Sequence, residues 1–126
     1  MIKIDIKKEL FGSLQEMMLD INLEIKQGEF LALSGVSGSG KTTLLRILAG
    51  FEDAKGVISV DDEIWLDTKI TLAPQKRAIG FVFQDYALFN NMSVLQNLLY
   101  VKKDRDLASH LLDITELSEL KNRHPN

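Results

Sequence analysis

Eight consecutive residues, Gly35-Val36-Ser37-Gly38-Ser39-Gly40-Lys41-Thr42, fit the pattern G-x-x-x-x-G-K-[ST] without a mismatch. The residue types have a chemical reason. Triphosphate oxygens need several inward-pointing N–H groups, and glycines let the backbone approach an anion and take positive φ. A loop that opens a helix adds the amides and dipole of the helix N-terminus. Lys41 supplies a point charge for β- and γ-phosphates, and the Thr42 hydroxyl is a ligand for Mg²⁺. The plainer reading is a Gly/Ser linker, but a linker has no need of Gly-Lys-Thr at the start of a helix.

Such a loop works only if an element before it and a helix after it hold it in place. Phe30-Leu31-Ala32-Leu33 reads as a short buried strand leading in. A helix runs from Lys41 to Ala49, with Leu44 and Leu48 one turn apart and Gly50 placed to end it. Upstream, Ile2, Ile4 and Ile6 alternate with charged residues, as do Leu19, Ile21, Leu23 and Ile25, giving two half-buried strands. Downstream, residues 57–60 and 64–66 flank Asp61-Asp62-Glu63 as a hairpin, and residues 79–83 form a second apolar strand ending at Gln84. The pattern then turns helical. Ser93 and Gln96 have the capping-box form, and Leu107, Leu111 and Ile114 mark a further helix. The order gives an α/β fold.

Composition narrows the class. Hydrophobic residues at 45% and charged residues at 26% are those of a globular domain, and 126 residues is about one domain. A net charge of −3 argues against nucleic acid as the partner. With no cysteine, disulfides, thiol catalysis and Cys-ligated metals are out, which fits a reducing compartment. His110 and His124 are not at metal-ligand spacing and read as ordinary surface residues. No apolar run exceeds four residues, far below the ~18 that span a bilayer. The amino terminus alternates apolar and charged residues, so no secretory signal is expected and the chain reads as cytoplasmic.

A phosphate loop alone leaves kinases, GTPases, helicases and transport ATPases open. Gly80-Phe81-Val82-Phe83-Gln84, about forty residues after Lys41, is followed by Leu88-Phe89, Ser93-Val94 and Asn97-Leu98. This resembles the Q-loop region of ABC-transporter nucleotide-binding subunits. Gly28-Glu29-Phe30, Thr43-Leu44-Leu45-Arg46 and Ala49-Gly50-Phe51 are similar to the same family. Ile64-Trp65-Leu66-Asp67 and Asn97-Leu98-Leu99-Tyr100 most resemble molybdate-importer ATPases; sulfate, spermidine, sugar and metal importers share the outline, with Pro74 and Arg77 before the Q-loop strand.

The resemblance implies a P-loop core with an antiparallel β-subdomain over residues 1–84 and the start of a helical subdomain over 85–126. It implies ATP and Mg²⁺ as cofactors. The loop from Gly35 to Thr42, that is Gly35, Val36, Ser37, Gly38, Ser39, Gly40, Lys41 and Thr42, holds the phosphates. Thr43 contacts the α-phosphate, and Thr42 and Gln84 face Mg²⁺. Gln84 also senses the γ-phosphate and carries the catalytic role, whereas taken alone it is an ordinary surface glutamine. Phe11 is the candidate for stacking on adenine, with a loop or core phenylalanine as the plain alternative. Leu88 reads as core of the helical subdomain. Implied partners are a second copy of the ATP-binding subunit and transmembrane permease subunits, which place the protein on the inner face of the membrane. The family's signature motif, Walker B aspartate, catalytic glutamate and switch histidine are not found in these 126 residues. The expectation is therefore the N-terminal half of a nucleotide-binding domain, inactive alone. A soluble ABC ATPase outside transport and a binding-only module are the rival readings.

Overall fold

The computed structural model describes residues 1–11 and 16–125. They form two compact units, Met1–Phe81 and Val82–Asn126.

The first unit is built on a four-stranded antiparallel sheet of order β2-β1-β3-β4. Its strands are β1 (Ile2–Phe11), β2 (Glu16–Ile25), β3 (Lys55–Val60) and β4 (Glu63–Leu66). The alternation of β1 puts Ile4 and Ile6 on one face, where they are buried, with Lys8 further along it, and Lys3, Asp5, Lys7 and Glu9 on the other. Register follows from that face. Ile4 lies between Leu23 and Ile58, and Ile6 lies between Ile21 and Gly56. On the outer face Lys7 pairs with Asp20 at 3.0 Å and Lys3 with Glu24 at 3.6 Å, exposed contacts that add little stability. Helix α1 (Lys41–Ala49) buries Leu44 and Ile47 in the same core as Ile4, Ile6, Leu19, Ile58, Trp65 and Leu66. It stops at Gly50, which takes the left-handed conformation at φ 80°.

The second unit holds α2 (Val94–Val101) and α3 (Arg105–Ile114). The capping box expected at Ser93 forms, with Ser93 Oγ accepting from the Gln96 N–H and Gln96 Oε1 accepting from the Ser93 N–H. The carbonyls of Arg123 and Lys121 accept from Val94 and Leu95 N–H, so all the early amides of α2 are used. The Asp104 carboxylate caps α3 by accepting from Leu107 N–H.

Two expected strands do not form. Residues 30–33 and 79–83 join no ladder among the described residues. A strand is defined by its partner, and an apolar run without one has nothing to hold its backbone groups in register. Phe30 is 94% and Val82 88% exposed, while Phe81 is half-buried with its ring edge-on to Phe51, centroids 5.4 Å apart. Leu88, expected in the core, is 54% exposed in its own unit. A turn over residues 84–87, with positive φ at Tyr86 and Ala87, precedes it and carries the chain across the surface rather than through it.

Gly56 sits in β3 at φ 126°, and a Cβ there would meet the Asp5 carbonyl oxygen at 2.1 Å. Gly56→Ala is expected to lower stability by about 3 kcal/mol or more, read by denaturant unfolding. At Asp104, the hydrogen bond from Leu107 N–H holds the carboxyl below its ordinary pKa. Its stabilisation of α3 is then fully present above the ordinary carboxylate value and lost as pH falls through the lower folded value. Asp104→Ala should fray α3 and flatten that acid limb, measured as helical circular dichroism against pH.

Candidate functional site

The phosphate-loop residues lie between residues 30–33 and α1, and the backbone turns through Gly38 at φ 82° and Gly40 at φ 92°. Gly40 is the residue before α1, and no side chain caps the helix there. The first helical bond runs from Leu44 N–H to the Gly40 carbonyl at 2.9 Å. The amides of Lys41, Thr42 and Thr43 therefore precede the ladder and stand at the positive end of the helix dipole. Beneath Gly40 lie Leu10 and Leu19, whose Cδ1 atoms would each be 3.0 Å from an added Cβ. The hairpin of β1 and β2 thus forms the floor of the loop.

Lys41 is folded back over its own loop. Its Nζ donates to the carbonyls of Gly35 at 2.7 Å and Val36 at 2.8 Å, and to Ser39 Oγ at 3.3 Å. Ser39 N–H donates to the Val36 carbonyl at 3.2 Å. An ammonium has three N–H donors, and here the loop's two carbonyls and one hydroxyl occupy all of them, which holds the charge against the loop. An anion entering the loop meets that charge already in place.

The loop opens on a cavity of about 1530 Å³. Ser37, Gly38, Gly40, Lys41, Thr42 and Thr43 line one side of it. The end of the β1–β2 pair at Phe11 and Glu16 supplies the other, including Phe11 and Met18. Phe11 is 79% exposed at the end of β1, a ring presented to the cavity rather than packed in the core. The structure so brings Phe11 to the same cavity as the loop. Gly35, Val36 and Ser39 shape the loop behind that surface through the Lys41 bonds. Gln84 belongs to the second unit, exposed in a turn over residues 84–87.

The wall below the loop was not singled out from the sequence. Glu52 accepts from Arg46 Nε at 3.3 Å and lies 3.7 Å from Lys8 Nζ, which also donates to the Asp53 carbonyl at 2.7 Å. These bonds tie the segment after α1 to β1. Single charges scattered over three elements carry no sequence signal that would group them. The residues that could hold Mg-ATP fit it: a loop with unused amides, a resident cation, the Thr42 hydroxyl, and a cavity roomy enough for a nucleotide, lined by an exposed aromatic ring.

Comparison with known proteins bears on this geometry. A family model described as ABC transporter matches residues 18–126. The chain belongs to the ABC transporter family. It is 41% identical to the spermidine/putrescine import ATP-binding protein of Bacillus anthracis, over 98% of this chain and 39% of that protein. It is 44% identical to the sulfate/thiosulfate import ATP-binding protein of Mesorhizobium japonicum, over 84% of this chain and 33% of that protein. A second sulfate/thiosulfate import ATP-binding protein, from Rhizobium meliloti, is 40% identical over 98% of this chain and 38% of that one. The chain thus spans well under half the length of these relatives. Among the described residues, no helix is long and apolar enough to cross a membrane.

An alanine at position 40 must take positive φ and press its Cβ on Leu10 and Leu19. Gly40→Ala should lift the loop from its floor and weaken Mg-ATP binding about tenfold, measured by titration calorimetry.

Proposed function

We propose that this chain is the nucleotide-binding portion of an importer ATPase and binds Mg-ATP at the loop from Gly35 to Thr42. The observation that carries the reading is the start of α1. That helix opens on a glycine with no side-chain cap, the Lys41 ammonium sits within the loop, and both face one large cavity. In this reading Lys41 and the amides of residues 38–42 hold the phosphates, and Thr43 reaches the α-phosphate. Thr42 and Gln84 are the ligands for Mg²⁺, and Phe11 stacks on the base. Bound Mg²⁺ would supply charge neutralisation for the phosphate oxygens. In the longer protein Gln84 senses the γ-phosphate and couples nucleotide state to the permease. Hydrolysis and transport belong to the longer protein, in which a second ATP-binding subunit and transmembrane permease subunits are the partners and hold it at the inner membrane face.

The cargo is a small solute of the kind named for the relatives, a polyamine or an oxyanion. The resemblance to molybdate importers has no counterpart among the relatives compared above. The residues that carried it also have structural tasks. The Trp65 ring is buried, with its Nε1 donating to Glu63. Asp67 accepts from the N–H groups of Lys69 and Ile70. Asn97 binds the backbone of Phe89, Met92 and Ser93, and Tyr100 packs on Phe89 with ring centroids 4.7 Å apart. Residues needed for packing do not report a cargo.

Titration of the 126-residue chain with Mg-ATP tests the site. Lys41→Ala should weaken binding at least tenfold, since it removes the charge facing the phosphates. Thr42→Ala should mainly raise the Mg²⁺ concentration required. Equal affinity in the parent chain and Lys41→Ala would rule the loop out.

A further inference from the structure

The most deeply buried charge in the first unit is not in the loop. Arg77 follows the 3-10 turn Pro74–Lys76 and is 5% exposed. Its guanidinium meets backbone carbonyls on every side. Nη1 donates to Ile47 and Leu48, each at 2.7 Å, Nε to Leu72 at 2.9 Å, and Nη2 to Trp65 at 3.4 Å. Its Cζ lies 5.6 Å from the centre of the Trp65 ring. Among the described residues no carboxylate pairs with it within 4 Å.

A buried cation without a counter-ion is costly unless other groups replace its water. Here the replacement is the negative end of α1. Ile47 and Leu48 belong to its last turn, where the dipole favours a positive charge, and the Ile47 carbonyl accepts from both the guanidinium and the Gly50 N–H. The planar fork is needed, because its acceptors come from α1, β4 and the segment at Leu72, and one ammonium nitrogen cannot face all three. Gly50 leaves the room. A Cβ there would stand 2.9 Å from both Cζ and Nε of Arg77.

α1 is a rod of nine residues, about 13.5 Å long. One end carries the loop amides, and the other is fixed by Arg77 to β4. A tilt or slide at the fixed end moves the amides at the open end. We propose that Arg77 is a positioning residue for the phosphate loop, anchoring the far end of α1 so that the amides of residues 41–43 hold phosphate-binding geometry. The inference rests on the nucleotide reading above and adds a residue to it that touches no nucleotide.

The test uses Arg77→Lys, which keeps the charge, and Arg77→Met, which keeps the bulk, each titrated with Mg-ATP well below its own unfolding temperature. Both should bind about tenfold more weakly than the parent while remaining folded by circular dichroism, and lysine should not rescue. A purely structural role would lower the unfolding temperature and leave the affinity of the folded protein unchanged. Affinity within twofold of the parent in either folded variant overturns the inference. A second measurement needs no Arg77 variant. Trp65 is the only tryptophan and lies against the guanidinium. Saturating Mg-ATP should shift its emission in the parent and not in Lys41→Ala. Saturation without a shift also overturns the inference and leaves nucleotide binding standing. A parent chain that does not bind, or a Lys41→Ala chain that binds equally, removes the nucleotide reading and this inference with it.

Discussion

Every helix begins with amides that have no partner in the helix, and how each start is treated organises this protein. At α2 those amides are taken by Ser93 and the carbonyls of Lys121 and Arg123, and at α3 the Asp104 carboxylate takes the Leu107 N–H. At α1 they are left open, because the residue that would carry a cap is Gly40. Open amides are tolerable only where water or an anion can reach them, so the start of α1 must face a cavity while its body is buried. The sheet meets both demands. Leu44 and Ile47 anchor the helix on Ile4, Ile6 and Ile58, and the loop is left at the rim.

The depth of the loop is set from below. Leu10 and Leu19 come from adjacent strands and approach Gly40 closely enough that an added Cβ would sit 3.0 Å from each. Glu52, Lys8 and the Asp53 carbonyl tie the other side of the cavity to the same strand. One hairpin thus supports both the phosphate loop and the opposite wall. Phe11 ends the first strand of that pair and lines the same cavity.

Local pattern was readable wherever the chain makes its own partners. The alternation of Ile2, Ile4 and Ile6, the Ser93–Gln96 box, Gly50 after α1 and the turn at Asp61 each declare a structure formed by near neighbours or by a strong periodicity. The phosphate loop was legible for the same reason, since its chemistry is contiguous. Residues 30–33 and 79–83 look like strands by side-chain type, yet hydrophobicity specifies burial and not which partner provides it. The Lys8–Glu52–Arg46 contacts were hidden because their members are far apart in sequence and individually commonplace. Arg77 was visible as part of a family resemblance, but the carbonyls it gathers from three elements exist only in three dimensions.

The strand order β2-β1-β3 places β1 between its two neighbours, so residues 26–54 must travel from one flank of β1 to the other. The phosphate loop lies within that crossing. Pairing β3 with β1 closes a longer stretch of chain than pairing β2 with β1. The loop therefore lies in a segment whose two ends are fastened to opposite edges of a single strand, and any change that loosens either pairing slackens the loop as well.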